Sequence, residues 1–366
     1  MTIGIGGAGS KLAAKLDPEA TLINVSQTEL NKVEGGSNRI LASVHSLHGQ
    51  LRGSRKNREI GHDAYQSVRR QLQELIRGNK VFCSSGGGTG NGITTGILED
   101  IAAVNEIPIQ DKTFFGIVLP YPELEPIEFV DNTVEFLSGP LSNAIAVGNT
   151  GNVVLFSNKV KFEAELSEEN YNEMLMESLK VFLAIPDKND NLKLLDGHID
   201  HEDFALYISK PYFNHFCSFE YDPDKDFGKQ LEANLNKFLL KPDVPIEAMF
   251  LLEIPKGGDP TAFYGILKHF NAIDVSPVYS VVENPEIDEP FITVSLLYSR
   301  MPDDLVDDFC EISQRHAHAK VKKTMEQFRE LQKLNVNMEQ EAIKVVREKG
   351  NGQTDILDAL RRIGKL

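Results

Sequence analysis

The 366-residue sequence contains no tryptophan and only three cysteines, Cys83, Cys217 and Cys310. The cysteines lie far apart and form no Cys-X-X-Cys pair, which argues against a disulfide framework and against a zinc site of the usual spacing. No apolar run approaches the ~18 residues that a membrane-spanning helix needs. No signal-peptide pattern follows Met1 either. We therefore expect a cytoplasmic protein with reduced thiols and no membrane contact.

Basic residues are also scarce, because 38 Lys and Arg stand against 54 Asp and Glu, for a net charge of −16. This excess of acid argues against direct binding to DNA phosphates or to an anionic membrane. Residues 315–366 differ, since they contain 12 Lys/Arg and 7 Asp/Glu, a net of +5 that leaves −21 for residues 1–314. This C-terminal segment is suited to an acidic partner, and the alternative is a solvated helix with a disordered end.

A glycine-rich run, Ser-Ser-Gly-Gly-Gly-Thr-Gly-Asn-Gly, occupies residues 84–92, which we call the glycine loop. It follows a short apolar run and precedes a helical pattern. Glycines let backbone N–H groups approach an anion, and the first turn of a helix favours negative charge, so this arrangement predicts a phosphate site. A Walker P-loop would have Lys-Ser/Thr after the last glycine, but Asn91-Gly92-Ile93 stands here instead.

A second glycine segment, Gly4-X-Gly6-X-X-Gly9, follows a short N-terminal strand and matches the dinucleotide-binding pattern. That pattern expects a carboxylate at the end of the second strand, and residues 24–27 read Asn-Val-Ser-Gln. A Rossmann dehydrogenase also has no use for a second phosphate loop at 84–92. An NAD-dependent oxidoreductase is therefore the alternative reading.

Strand and helix patterns alternate through the first 160 residues and predict a doubly wound parallel α/β sheet, with ligand sites at the carboxyl ends of its strands. Helices are expected to begin at Lys11 and at about Asp63. The helical pattern at 171–185, preceded by Ser167 as a candidate N-cap, is apolar on most sides, which suits a central helix between two domains. Residues 206–300 indicate a smaller α+β domain, and helical segments follow to about residue 334.

The run Gly-Gly-Gly-Thr-Gly-X-Gly at 86–92 resembles the signature of the tubulin/FtsZ superfamily of GTP-driven filament proteins. The resemblance covers about residues 1–334 and is greatest to the phage and plasmid TubZ and PhuZ branch. It implies a GTP-binding domain at 1–166, a central helix at 167–186, an α+β activation domain at 187–300, a C-terminal helix at 301–334 and a polar, basic tail at 335–366.

The resemblance also implies an activity. GTP or GDP is expected as the bound nucleotide, with Mg²⁺ held chiefly by its phosphates, and hydrolysis is expected to be activated by head-to-tail self-assembly. The implied role is the segregation or positioning of plasmid or phage DNA in a bacterial host cytoplasm, through a DNA-binding adaptor on the tail. A tubulin-fold filament protein that does not hydrolyse GTP is a second alternative.

Mapped residue by residue, the resemblance implies nucleotide contacts from Gly6, Gly7, Ala8, Ser10, Gly53, Asn57, Gly86, Gly87, Gly88, Thr89, Gly90, Asn91, Glu125, Asn158 and Asn172. Residues 53–57, which we call the basic loop, carry Arg55 and Lys56 toward the terminal phosphate, although an isolated basic turn on a surface is common. Glu125 would contact the ribose, with Glu123 as the alternative. Asn158 and Asn172 would bind guanine, and the alternative for each is a surface or helix-capping amide.

Asp200 and Asp203 stand three residues apart at a predicted helix start. On physical grounds alone, this pattern is typical of an N-cap with acidic residues in the first turn. The resemblance instead implies a catalytic pair that one subunit inserts into its neighbour's GTP site, where the carboxylates polarise the attacking water. His198 precedes the pair and His201 lies within it, and the spacing of the two histidines favours surface residues over metal ligands.

Overall fold

The computed structural model describes residues 1–46, 49–235, 244–299, 301, 305 and 308–326 of the chain. Met1–Ile312 form one compact unit, and a second unit begins at Ser313. The described residues of the second unit, 313–326, are helical. The end of the predicted C-terminal helix, 327–334, and the predicted tail, 335–366, lie outside the described residues.

Strands alternate with helices through the first half of the chain. The described strands are β1 (Thr2–Ile5), β2 (Thr21–Asn24), β3 (Asn38–Leu41), β4 (His45–Ser46), β5 (Gly49–Gln50), β6 (Lys80–Ser84), β7 (Phe114–Leu119), β8 (Val153–Ser157), β9 (Lys193–Gly197), β10 (Phe213–Glu220), β11 (Glu247–Pro255), β12 (Val278–Asn284) and β13 (Phe291–Tyr298).

The described α-helices are α1 (Gly6–Leu16), α2 (Gln27–Lys32), α3 (Arg58–Leu75), α4 (Gly88–Ala103), α5 (Ile127–Phe136), α6 (Ser142–Ala146), α7 (Asn158–Glu163), α8 (Glu168–Leu183), α9 (Ile185–Asn191), α10 (His201–Ile208), α11 (Phe227–Leu235) and α12 (Phe263–Ala272). The helix α8 corresponds to the predicted central helix. Ser167 caps it by accepting a hydrogen bond from the Asn170 N–H at 3.1 Å.

Eleven of the described strands form one sheet in the order β3-β2-β1-β6-β7-β8-β10-β13-β11-β12-β9. From β3 to β8 all neighbours are parallel, as predicted. Beyond β8 the sheet is mixed, because β13 runs antiparallel to β10 and β11, whereas β11 and β12 are parallel. A single aligned pair, Val153 with Phe213, joins the two parts. The α+β segment therefore continues the first sheet instead of forming a separate one.

Helices cover both faces of this sheet. On one face, α1, α8 and α10 pack against strand residues such as Leu22, Phe82 and Val154. On the other face, α3 to α6 and, farther along, α11 and α12 pack against residues such as Ile5 and Val81. Adjacent strand residues such as Val81 and Phe82 enter opposite layers because side chains alternate along a strand. The predicted doubly wound α/β architecture is confirmed.

Two helices begin earlier than the sequence pattern predicted. We expected the first helix from Lys11, but α1 begins at Gly6, whose φ of +73° makes the turn out of β1. We expected the next long helix from Asp63, but α3 begins at Arg58, where the Asn57 side chain accepts a hydrogen bond from the Glu59 N–H at 2.8 Å. In both cases the first turn lacks the apolar periodicity on which the prediction rested.

Candidate functional site

A cavity of about 520 Å³ lies at the carboxyl ends of β1, β6, β7 and β8. This is the edge where ligands bind in open α/β sheets. Most of the predicted contact residues line it, namely Gly6, Gly7, Ala8, Gly53, Gly87, Gly88, Thr89, Gly90, Glu125, Asn158 and Asn172. Segments far apart in the sequence thus converge on one site.

The two glycine segments touch each other at one end of the cavity. A Cβ atom added to Gly6 would lie 2.8 Å from the Gly90 nitrogen. The helices α1 and α4 both start here, and neither has a side-chain cap on its first-turn amides. Uncapped N–H groups at two converging helix N-termini form a site for an anion.

The basic loop lies directly against the glycine loop. A Cβ atom on Gly88 would lie 2.6 Å from the Ser54 hydroxyl oxygen and 2.7 Å from the Asn57 nitrogen, so only glycine permits this approach. Arg55 and Lys56 line the cavity here. The Thr89 hydroxyl donates to Ser54 at 3.1 Å. Two cations therefore stand beside the backbone amides, which suits a polyphosphate.

The other end of the cavity carries amide and carboxylate side chains. One Glu125 carboxylate oxygen accepts hydrogen bonds from the Tyr121 N–H at 2.6 Å and from the Asn158 amide at 2.9 Å. Asn172 is 8% exposed, and within the described residues its side chain has no hydrogen-bond partner. Asn158 is thus fixed by the protein, while Asn172 is available to a ligand.

Tyr171 and Glu168 line the cavity at the first turns of α8. The Tyr171 hydroxyl donates to the Ser157 carbonyl at 2.6 Å. Burial and, second, the charge of Glu125 raise the pKa of Tyr171, so the phenol stays neutral. Glu168 accepts from Lys11 at 2.9 Å, and both side chains of this pair are about half exposed.

Four of the predicted contact residues do not line the cavity: Ser10, Asn57, Gly86 and Asn91. The Ser10 hydroxyl donates to the Gly4 carbonyl, and Asn57 caps α3. A Cβ on Gly86 would lie 2.8 Å from the Phe129 Cβ, so this glycine makes room for α5. The buried Asn91 amide donates to the Asn132 carbonyl at 2.9 Å. Ligand contact by these four residues stays a prediction.

The list of predicted contacts omitted several residues with polar side chains that line the cavity, namely Glu29, Ser54, Ser84, Lys161, Glu168 and Tyr171. Glu29 is the most informative of them. Ser26 accepts from the Glu29 N–H at 3.3 Å, which is the Ser-X-X-Glu start of a helix, and Asn24 donates to the Glu29 carboxylate at 2.9 Å. Ser-Gln-Thr-Glu at 26–29 was the sequence signal.

Glu29 bears on the dinucleotide reading. Its carboxylate would be 3.8 Å from a Cβ on Gly7, so an acidic group does stand beside the first glycine segment. The strand order β3-β2-β1-β6-β7-β8 is also the order of dinucleotide-binding domains. The glycine loop and the basic loop, rather than the first segment, are what distinguish this cavity from such a domain.

Asp200 and Asp203 lie outside the cavity. Asp200 is the N-cap of α10 and accepts from the Asp203 N–H at 2.7 Å, as local sequence alone predicted. Potential ligand atoms of His198, Asp200 and Asp203 all lie within 4.8 Å of one another. His201 pairs instead with Asp187 and Asp190 of α9, at 3.6 and 3.2 Å.

The position of the acidic pair follows from α8. The first turns of α8 line the cavity, whereas α9, which contacts His201, follows its last residue. A helix of 16 residues is about 24 Å long. The pair therefore lies near the far end of α8.

No helix among the described residues combines the length and the apolar character needed to span a bilayer.

No protein-family model matches the sequence, and a search of curated proteins found no match. Solved structures do match. A GTPγS-form protofilament of TubZ from Bacillus thuringiensis serovar israelensis has a TM-score of 0.69 and 13% identity, over 88% of this chain and 93% of that chain. A GTPγS-bound protofilament of CetZ2 from Haloferax volcanii has a TM-score of 0.62 and 16% identity, over 88% of this chain and 98% of that chain.

An FtsZ dimer from M. jannaschii, described as empty, has a TM-score of 0.60 and 17% identity, over 82% of this chain and 88% of that chain. At such identities the likeness establishes the fold. The chain has the tubulin/FtsZ fold, as the glycine loop predicted.

Proposed function

We propose that this chain binds GTP in the cavity, assembles head to tail with copies of itself, and hydrolyses GTP where two copies meet. One observation carries the proposal. Two glycine segments and a basic loop converge at one end of a cavity whose other end carries Asn158 and Asn172. The chain shares its fold with proteins whose structures were solved as GTPγS protofilaments.

The triphosphate would lie against the glycine segments. Uncapped amides of α1 and α4 would donate to its oxygens, and Arg55 and Lys56 would neutralise its terminal charge. Mg²⁺ would be held chiefly by the phosphates. The Glu29 carboxylate beside Gly7 offers the kind of oxygen ligand that Mg²⁺ prefers.

The base would lie at the amide end. Guanine presents N–H donors and a carbonyl acceptor on one edge, and a carboxamide can both accept and donate. Asn172, which has no partner within the described residues, would bind that edge. Asn158 and Glu125, already bonded to each other, would hold the base and the ribose in place.

Hydrolysis would need a second copy of the chain. Asp200 and Asp203 would orient and polarise the attacking water, but they lie near the far end of α8 from their own cavity. A head-to-tail contact would bring them to the cavity of the neighbouring copy. Assembly would therefore complete the active site, and GTP turnover would follow filament formation.

The biological role we propose is the segregation or positioning of plasmid or phage DNA in a bacterial cytoplasm, as in the TubZ branch. The net charge of −16 makes a DNA-binding adaptor more suitable than direct DNA contact. The C-terminal tail, 335–366, would bind that adaptor. We further propose the domain boundaries expected from the sequence, with nucleotide binding in 1–166 and an activation domain at 187–300.

Sedimentation of purified protein tests the proposal. GTP and GTPγS should each produce filaments that electron microscopy can image, ATP at the same concentration should not, and phosphate release should rise steeply with protein concentration. Equal assembly with ATP would contradict guanine recognition. Tight NAD(H) binding in place of GTP would support the oxidoreductase alternative. Filaments that form with GTP but release no phosphate would support a non-hydrolysing filament protein.

A further inference from the structure

One side of α5 contacts the end of the basic loop and the start of α3 through three side chains spaced three residues apart. The Lys56 ammonium lies over the Phe129 ring, 5.1 Å from its centre. The Asn132 amide donates to the Lys56 carbonyl at 3.0 Å. Glu135 forms an ion pair with Arg58, at the start of α3. Residues three apart share a side of a helix, so one side of α5 lies along the end of the basic loop and the start of α3.

Asn132 also binds the glycine loop. Its amide nitrogen donates to the Gly86 carbonyl at 2.8 Å, in addition to Lys56. A carboxamide has two N–H donors, so both are used, one on each loop. The backbone carbonyl of Asn132 in turn accepts from the Asn91 amide at 2.9 Å. One side chain thus connects the two loops that carry the phosphate-binding groups.

The basic loop needs such support because its backbone is strained. Arg55 has a φ of +52° and Lys56 a φ of +63°, in the left-handed region that L-residues with a Cβ rarely adopt. Consecutive residues in this region persist only where surrounding contacts fix them. The hydrogen bond from the Asn57 N–H to the Ser54 carbonyl, at 2.9 Å, lies within the loop. Asn132 supplies support from outside it.

We propose that Asn132 is a positioning residue that holds the basic loop against the glycine loop and thereby sets the preference of the cavity for a nucleoside triphosphate over a diphosphate. The inference rests on the proposed nucleotide binding. Arg55 and Lys56 would meet the terminal phosphate, whereas the glycine segments would bind the phosphates that both nucleotides share. Release of the loop therefore affects one ligand more than the other.

Binding of GTPγS and of GDP to unassembled protein tests whether Asn132 affects the triphosphate more than the diphosphate. Asn132→Ala should weaken GTPγS binding about five- to tenfold, as expected for lost hydrogen bonds, and GDP binding less than twofold. Asn132→Asp keeps the side-chain shape but places an acceptor against two carbonyl oxygens, so it should be at least as severe. Asn143→Ala, at an exposed residue of α6, is the matched control and should change neither value.

If Asn132→Ala weakens GTPγS and GDP binding equally, or if Asn132→Asp binds both nucleotides as wild type does, the inference is overturned. A general loss of stability would produce the first result, because it does not distinguish two ligands.

Limited trypsin digestion without nucleotide gives an independent measurement. Cleavage after Arg55 and Lys56, located by mass spectrometry, should be several-fold faster in Asn132→Ala than in wild type or Asn143→Ala. An unchanged cleavage rate would overturn the inference. If wild-type protein binds no guanine nucleotide, the proposed function fails, while the digestion still reports whether Asn132 holds the loop.

Discussion

The cavity and the N-terminus of α10 present polar groups in opposite ways. In the cavity, side chains are held by the protein, as Glu125 is by Asn158 and Thr89 by Ser54. At α10, the side chains of His198 and Asp203 are exposed, and they converge with Asp200 on one patch without a ligand from another element. The cavity is organised in advance, whereas the α10 patch would be half of a site in the proposed assembly.

This difference indicates what each set of side chains contributes. Preorganised donors bind a ligand without reorganisation, which suits the cavity to nucleotide binding. Exposed carboxylates gain strength only when a partner excludes water around them. The cavity should therefore control affinity, and the α10 patch should control turnover.

Removing the α10 carboxylates should have the largest effect. Asp200→Asn keeps an N-capping oxygen, so α10 should stay folded. Asp203→Ala removes the second carboxylate. Either variant should bind GTP normally and assemble, but hydrolyse it roughly 10²–10⁴ times more slowly, measured as phosphate release by sedimented filaments. Glu202→Gln, at an exposed neighbour, should behave as wild type.

Full GTP hydrolysis in dilute, unassembled protein that lacks both aspartates would contradict the assignment of turnover to the α10 patch. It would show that the cavity contains its own catalytic groups.

A mixture of two defective variants is the second test. Gly88→Ala places a Cβ 2.6 Å from the Ser54 hydroxyl oxygen and 2.7 Å from the Asn57 backbone, so it should prevent closure of the phosphate end. This variant keeps its aspartates, whereas Asp203→Ala keeps its cavity. The mixture should recover part of the activity that each variant lacks alone, because the site spans two copies. No recovery in filaments shown to contain both variants would argue against a shared site.

Base recognition is the third test. Asn172→Ala should reduce GTP affinity about tenfold, the effect of one or two lost hydrogen bonds, and should narrow the preference for GTP over ATP. Because Asn172 has no partner within the described residues, stability should change little. Asn170→Ala, on the exposed side of the same helix, is the matched control. An unchanged GTP-to-ATP ratio would place guanine recognition elsewhere.

Much of the fold was predictable because its determinants are local. Buried strand runs and glycine turns specified the parallel sheet, and Ser167 and Asp200 marked helix starts. The continuation of the sheet from β8 into β10 was not predictable, since it rests on one aligned pair, Val153 with Phe213, far apart in sequence. Helix starts at Gly6 and Arg58 were missed because their first turns lack apolar periodicity.

For the site, most residues that the motif and the resemblance indicated line the cavity, whereas several that tertiary contacts bring there were not predicted. The motif predicted Thr89, but not that Ser54 would accept its hydroxyl. The carboxylate of Glu29 reaches the cavity because Asn24 holds it, a contact that strand patterns do not encode. The two-loop bridge by Asn132 depends in the same way on packing of α5 over Gly86.

The rim of the cavity provides the smallest expected effect. Lys11 and Glu168 form an ion pair there, with side chains 46% and 55% exposed, and such pairs contribute about 0–1 kcal/mol. Lys11→Ala should therefore lower the free energy of unfolding by less than about 1 kcal/mol, measured by urea titration, and should change GTP affinity by less than about twofold. A large loss of GTP affinity with unchanged stability would show that Lys11 leaves Glu168 to contact the ligand. Lys11 would then be part of the nucleotide-binding site and not a solvated residue at its rim.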